Sequence, residues 1–249
     1  MFHRVLRLAL ALAALLPAVP SLAAHRARAA TVDAAYTAMK RGDFENALSD
    51  LKPLAAKGDP DAEFLLGMLY DSGKGVAQDQ ATAASWYRKA AEQKHLFAQV
   101  YLGSLYYSGQ GVKQNYGEAA RWFRGPAAAG NDQAQFYLGS MYANGAGVGK
   151  DGSESIRWLT KSAQQRNARA MGLLATELFS RSQGRDERDL IDAYVWSHLA
   201  AEYDGIQAST SARKVIERYC SAEQKRKAER AMAEQKRQWA GAAKAAPGR

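Results

Sequence analysis

Apolar residues recur along this chain with helical spacing, and from about residue 60 they do so in blocks that repeat. Val32, Ala35, Tyr36 and Met39 fall on one helical face, and Arg41-Gly42-Asp43 then turns the chain. Phe44, Ala47, Leu48, Leu51, Leu54 and Ala55 mark a second helix. Beyond it the same two-helix pattern returns every 36 residues, as the columns Trp86/Trp122/Trp158, Ala62/Ala98/Ala134, Gly67/Gly103/Gly139 and Tyr70/Tyr106/Tyr142 show. The loop columns Gly73/Gly109/Gly145, Gly75/Gly111/Gly147 and Val76/Val112/Val148 keep the same step. A fixed period of this length predicts stacked helix pairs, none of which buries its apolar face alone. The expected fold is all-α: an α/α solenoid of about five helix pairs plus a C-terminal capping helix.

Each column has a physical reading. In the first helix of a repeat, Ala62, Phe64, Leu66, Leu69 and Tyr70 form the apolar face, and a repeated mid-helix glycine implies a close approach that a methyl would block. Asp79, Asn115 and Asp151 stand where the second helix needs an N-cap, and Glu118 and Glu154 are expected to complete capping boxes. The tryptophan column supplies inter-helix packing. Gly125-Pro126 predicts a kink or an end near Arg124, since proline removes a helical hydrogen bond. The fourth unit lacks the loop glycines, but Trp196 with Leu199, Ala200 and Ala201 continues its second helix. A helix over about 206–218 follows, and Ser221-Ala-Glu-Gln224 caps a last one ending near Trp239, with residues 242–249 expected to fray.

The ends differ in kind from the repeats. Arg4 and Arg7, the apolar run Leu8–Leu16, and Ser21-Leu22-Ala23 form the three-part pattern of a secretory signal peptide, cleaved after Ala23. The expected organisation is a signal peptide over 1–23, a flexible leader over 24–31 and a tetratricopeptide-like helix pair over 32–59. Three full repeats over 60–166, a degenerate fourth over 167–204 and a basic C-terminal segment over 205–249 complete it. The formal charge of +9 sits largely in that last segment, which holds 11 basic and four acidic residues. Export makes the protein periplasmic or secreted and argues against nucleic acid as its partner. The apolar run is too short to span a bilayer and no other stretch could, so no transmembrane segment is expected. One cysteine, Cys220, allows no internal disulfide, and its place between two helices predicts a buried, inert thiol.

The columns Ala62-Glu-Phe-Leu-Leu-Gly-Met-Leu-Tyr70, Gly73-x-Gly75-Val76, Asp79 and Trp86-Tyr-x-Lys-Ala-Ala-Glu92, with their counterparts 36 and 72 residues later, resemble the Sel1-like repeats, relatives of tetratricopeptide repeats. The closing segment, Ala193-Tyr-x-Trp196 through Trp239, resembles the usual end of bacterial members. The resemblance spans about residues 60–240. It implies a right-handed α/α superhelix that serves as an adaptor or scaffold and is often exported.

No constellation for catalysis converges. His3, His25, His95 and His198 are scattered without metal-ligand spacing, and neither a metal nor a cofactor is implied. Ser49-Asp-Leu-Lys52 and Ser211-Ala-Arg-Lys214 match the Ser-x-x-Lys nucleophile motif of penicillin-recognising enzymes, but Ser-Asp-Asn and Lys-Thr-Gly companions are absent. A β-lactam or cell-wall-acting hydrolase is therefore the alternative of another class. The main reading is a non-catalytic exported scaffold for a protein or peptide partner in the cell envelope, with an inhibitor of a membrane sensor or wall enzyme as a second use. Its expected partner surface is the concave face carried by the first helices: Leu65, Met68, Asp71, Tyr101, Ser104, Tyr107, Tyr137, Ser140 and Asn144. Tyrosines among small polar residues offer contact area at little entropic cost.

Overall fold

The computed structural model describes residues 31–204 and 207–245. The expected signal peptide and nearly all of the expected leader lie outside them, but Thr31 is the N-cap of the first helix and its hydroxyl accepts from Ala34 N–H. Twelve helices and no strand make up the described residues. They are α1 (Val32–Lys40), α2 (Phe44–Ala55), α3 (Pro60–Ser72), α4 (Gln80–Glu92), α5 (Leu96–Ser108) and α6 (Tyr116–Ala128). Next come α7 (Asp132–Asn144), α8 (Gly152–Gln164), α9 (Ala168–Ser182), α10 (Glu187–Asp204), α11 (Gln207–Tyr219) and α12 (Ala222–Ala245). Each helix packs on its neighbour in sequence from α1 to α11, and α12 folds back onto α10. First helices of successive pairs also meet directly, α1 with α3 and α7 with α9, which puts them on the inside of the stack.

Repetition in the sequence becomes repetition of contacts. A Cβ on Gly103 would lie 2.8 Å from Phe123 Cε1, on Gly67 2.5 Å from Tyr87 Cδ1, and on Gly139 2.6 Å from Leu159 Cγ. The missing methyl is what lets the two helices of each pair close. In the loops, Gly73, Gly109 and Gly145 take left-handed conformations that end their helices. The same backbone bond then ties each loop down: Asp79 N–H to Tyr70 O at 2.9 Å, Asn115 to Tyr106 at 2.9 Å, Asp151 to Tyr142 at 3.0 Å. Asp79, Asn115 and Asp151 cap α4, α6 and α8. The capping boxes, however, are only half made. Glu118 and Glu154 reach forward to Arg121 and Arg157 rather than back to the cap, and those guanidiniums lie 4.3 Å over Trp122 and Trp158. A charged pair on an indole face competes well against one exposed backbone N–H.

Two expectations at helix ends change. α6 does not stop at Arg124 but runs to Ala128 with a buried Pro126 inside it. The lost bond falls in the last turn, and Asn131 N–H donates to Pro126 O at 2.9 Å, closing the end. α12 continues past Trp239 to Ala245. Its start is a full capping box, with Gln224 N–H donating to Ser221 Oγ at 3.2 Å and Ser221 N–H to Gln224 Oε1 at 2.7 Å. Trp239 is buried against Trp196 and Tyr203, and its Nε1–H donates to Gln164 O at 2.7 Å, so α12 closes the C-terminal end of the stack. Cys220 is buried and its thiol points at Leu190 O, 3.7 Å away.

Candidate functional site: the inner face of α3, α5 and α7

Two clusters of aromatic rings line the inner helices. In the first, Phe64 is central: His95 stacks on it at 4.7 Å, Tyr101 meets it edge-on at 5.5 Å, and Phe97 lies 6.2 Å away. His95 is fixed because its Nδ1 accepts from Ala98 N–H as the N-cap of α5, while Nε2 faces Asp61 Oδ1 at 3.1 Å. Phe97 and Tyr101 stand one turn apart on α5 and are 59% and 37% exposed. Large apolar rings held open in this way are the usual hot-spot side chains of protein interfaces.

The second cluster is more tightly packed, with only Tyr116 at its edge exposed among the rings that surround Tyr137. Tyr137 stacks on Phe123 at 4.7 Å with the planes 7° apart, and Tyr107 lies 5.3 Å from Tyr137 and 5.2 Å from Tyr116. Phe136 flanks Tyr137, and the Arg169 guanidinium covers Phe136 at 4.8 Å.

The nine residues expected on the partner surface separate accordingly. Tyr101 is open on α5, and Asn144 is exposed at the end of α7 with its amide turned back to Ser140 O at 2.9 Å. Met68 and Asp71 line a cleft described below. Ser104 and Ser140 are half-buried, and the Ser104 hydroxyl donates to Val100 O at 3.0 Å within its own helix. Tyr107 and Tyr137 are half-buried in the second cluster rather than free. Leu65 is a correction: at 6% exposure it belongs to the core formed with Leu51, Ala55 and Leu66, because α1 and α2 pack over the face that α5 leaves open at Tyr101. Phe97 is the residue missed, although its place one turn before Tyr101 puts it on the same face.

Met39, Lys40, Phe44, Met68, Asp71, Ser72, Lys74, Tyr87 and Tyr101 line an open cleft of about 320 Å³ beside the first cluster. Tyr87 is fully buried, its hydroxyl has no hydrogen-bond partner, and desolvation together with the neighbouring Asp71 pushes its acidity far down, so it stays protonated. Of the two Ser-x-x-Lys pairs, Ser49 and Lys52 lie exposed on α2, and Ser211 is outside the residues whose side chains are described.

Consecutive helix pairs with an inner face of exposed rings define an α-helical repeat scaffold. The chain matches the Sel1 repeat family at residues 60–95, 96–125, 132–167 and 168–202, more than half its length, and belongs to that family. Among solved structures it is similar to a protective antigen present in uropathogenic Escherichia coli strains displaying an SLR fold. The identity is 30% and the TM-score 0.73, over 83% of this chain and 45% of that one. This chain thus spans less than half of that protein's length. It also shares the fold of a Sel1 repeat protein from Oxalobacter formigenes, at 24% identity and TM-score 0.57, over 72% of this chain and 87% of that one. No curated protein matches it. Sel1 repeats mediate protein–protein interactions, and proteins built from them are generally non-catalytic scaffolds.

Proposed function

We propose that this protein is exported and, in the cell envelope, acts as a non-catalytic scaffold that holds a segment of a protein partner across the inner faces of α3, α5 and α7. One observation carries the binding site: Phe97 and Tyr101 remain 59% and 37% exposed although the helices around them are closely packed. Export rests on the pattern Arg4/Arg7, Leu8–Leu16 and Ser21-Leu22-Ala23. Among the described residues no helix is long and apolar enough to cross a membrane.

Affinity capture from envelope extract tests the binding site. The mature chain retains a partner, and the Phe97→Ala/Tyr101→Ala variant loses it while its circular dichroism is unchanged; equal capture by both would move the site. Mass spectrometry of the protein from its native cells reads a mature N-terminus at Ala24, and a retained Met1 would remove the export reading.

A further inference from the structure

Charge is divided unevenly between the two sides of the stack. The outer helices α4, α6 and α8 carry three charged residues each, whereas the inner helices α5 and α7 carry one between them, Asp132. A strip rich in rings and poor in charge is the composition of an interface core, which loses its water when a partner arrives. Charge returns where this strip meets the cleft beside Tyr101, whose walls hold Lys40, Lys74 and one carboxylate, Asp71. Both lysines are exposed, and neither has an ion-pair partner among the described residues. Rings position their ammoniums, Lys40 over Tyr36 at 4.7 Å and Lys74 over Phe44 at 5.4 Å. Asp71 is half-buried and borders the buried Tyr87, and the exposed Asp61 beside the first cluster is already taken by His95 Nε2 at 3.1 Å. The stack itself does not ask for this charge: one and two periods on, the position of Lys74 is held by Gln110 and Ala146.

We propose that the partner segment is acidic at this end: it places an aspartate or glutamate side chain in the cleft, drawn to Lys40 and Lys74, and a large apolar side chain next to it on Phe97 and Tyr101. The charge balance selects the occupant. A basic side chain would meet two ammoniums and one half-buried carboxylate, and a neutral one would leave both ammoniums without a counter-charge as the surface is covered. Geometry joins the two halves, since Tyr101 lines the cleft and also meets Phe64 edge-on at 5.5 Å, while Phe97 lies 6.2 Å from Phe64. Cleft and rings thus share a wall, and neighbouring residues of one short segment reach both. The cleft, at the lower end of ligand-pocket sizes, suits a single side chain. The inference rests on the inner face being the partner site and specifies what the partner presents to it.

The test titrates the mature chain with three peptides, acetyl-Glu-Leu-Phe-amide, acetyl-Gln-Leu-Phe-amide and acetyl-Lys-Leu-Phe-amide, and follows the tyrosine resonances by NMR. The glutamate peptide binds saturably with a Kd of about 1 mM, the expected scale for a probe of this size, the glutamine peptide several-fold more weakly and the lysine peptide most weakly. Raising the salt from about 0.02 M to about 0.3 M weakens the glutamate peptide and leaves the glutamine peptide unchanged. Lys74→Gln, which copies the second repeat, narrows the gap between glutamate and glutamine. Lys40→Glu/Lys74→Glu reverses the order, so that the lysine peptide binds best, with the melting temperature nearly unchanged because both positions are exposed. Phe97→Ala weakens all three peptides alike. No saturable binding, equal binding of the glutamate and lysine peptides, or an order that survives the charge reversal overturns the inference. If capture from envelope extract depends on Phe97 and Tyr101 but is unchanged in Lys40→Glu/Lys74→Glu, the inner-face reading stands and the acidic segment fails; if capture is independent of those rings, the inner-face reading fails.

Discussion

Gln165 donates from Nε2 to Gln135 Oε1 at 2.9 Å, and two repeats earlier Gln93 makes the same contact to Glu63 Oε2 at 2.8 Å. The position is buried, Glu63 being 4% exposed, so the first repeat holds a carboxylate where the third holds a neutral amide. Desolvation raises the Glu63 pKa above its ordinary value, partly opposed by the Gln93 hydrogen bond. A carboxyl that binds its proton more tightly when folded contributes its full stability below the ordinary carboxyl range and loses it as pH rises through the raised value. Glu63→Gln should therefore raise the melting temperature at neutral pH, with the gain shrinking as pH falls through the raised value toward the ordinary carboxyl range and levelling off below it. Thermal melts across pH 3.5–8 check this, and a variant less stable than wild type at pH 7 contradicts it.

The left-handed residues between repeats give a second prediction. Gly58, Lys94, Gly130 and Arg166 share one column, and all four have positive φ, Lys94 at 67° and Arg166 at 70°. For a residue with a Cβ that conformation costs about 1 kcal/mol. Lys94→Gly should stabilise the chain by a few tenths to about 1 kcal/mol, the greater freedom of glycine in the unfolded chain taking back part of the gain. Arg166→Gly should not, because the Arg166 guanidinium donates to Trp239 O at 2.7 Å and helps hold α12 in place. Chemical denaturation of the two variants separates the cases.

Close packing within the pairs gives a third. Gly103→Ala improves intrinsic helix propensity by about 1 kcal/mol, yet its methyl would press on the fully buried Phe123. Overpacking of this kind costs about 1–3 kcal/mol, so the net effect is destabilising. Trp122→Ala, at a 9% exposed indole, should cost about 3–5 kcal/mol. Tyr107→Ala should cost about 1–3 kcal/mol, because its ring touches both Tyr137 and Tyr116. Urea midpoints rank the three.

Most of the fold was legible in the sequence, and the reason is repetition. A column that recurs at a fixed step reports a contact made again and again, so Gly67, Gly103 and Gly139 announced the helix approach, and Asp79, Asn115 and Asp151 the caps. The caps of the first helices were equally periodic, at Asp59, His95, Asn131 and Asn167, but change of residue type hid them: the His95 ring nitrogen accepts from Ala98 N–H just as the Asn131 amide oxygen accepts from Ala134 N–H. The inner face was legible only in part. Spacing assigns Leu65, Tyr101 and Tyr137 to one face, but what covers that face differs along the stack. At Leu65 it is α1 and α2, at Tyr137 it is Tyr107 with Phe123, and at Tyr101 Phe64 and Tyr87 pack against the ring but leave it 37% exposed. Exposure there depends on neighbours from other repeats, which a column does not encode. The cleft beside Tyr101 is lined by residues from Met39 to Tyr101, and a meeting of several elements is not written in any one column.

Cys220 offers a check on the C-terminal junction. Its thiol is buried, and desolvation raises its pKa above the ordinary thiol value. Iodoacetamide at pH 8 should leave it unmodified in the folded chain and label it fully in denaturant, as peptide mass mapping would show. Rapid labelling of the native protein would mean that α11 and α12 do not pack as described.

The central claim, that the inner face of α5 holds the partner, is tested most directly by site-specific photo-crosslinking in native cells. A benzophenone side chain placed at position 101, on the open inner face, should give one discrete adduct with a partner protein. The same group at position 92, exposed on α4 among the outer helices, should give none. Adducts from position 92 with none from position 101 would contradict the account.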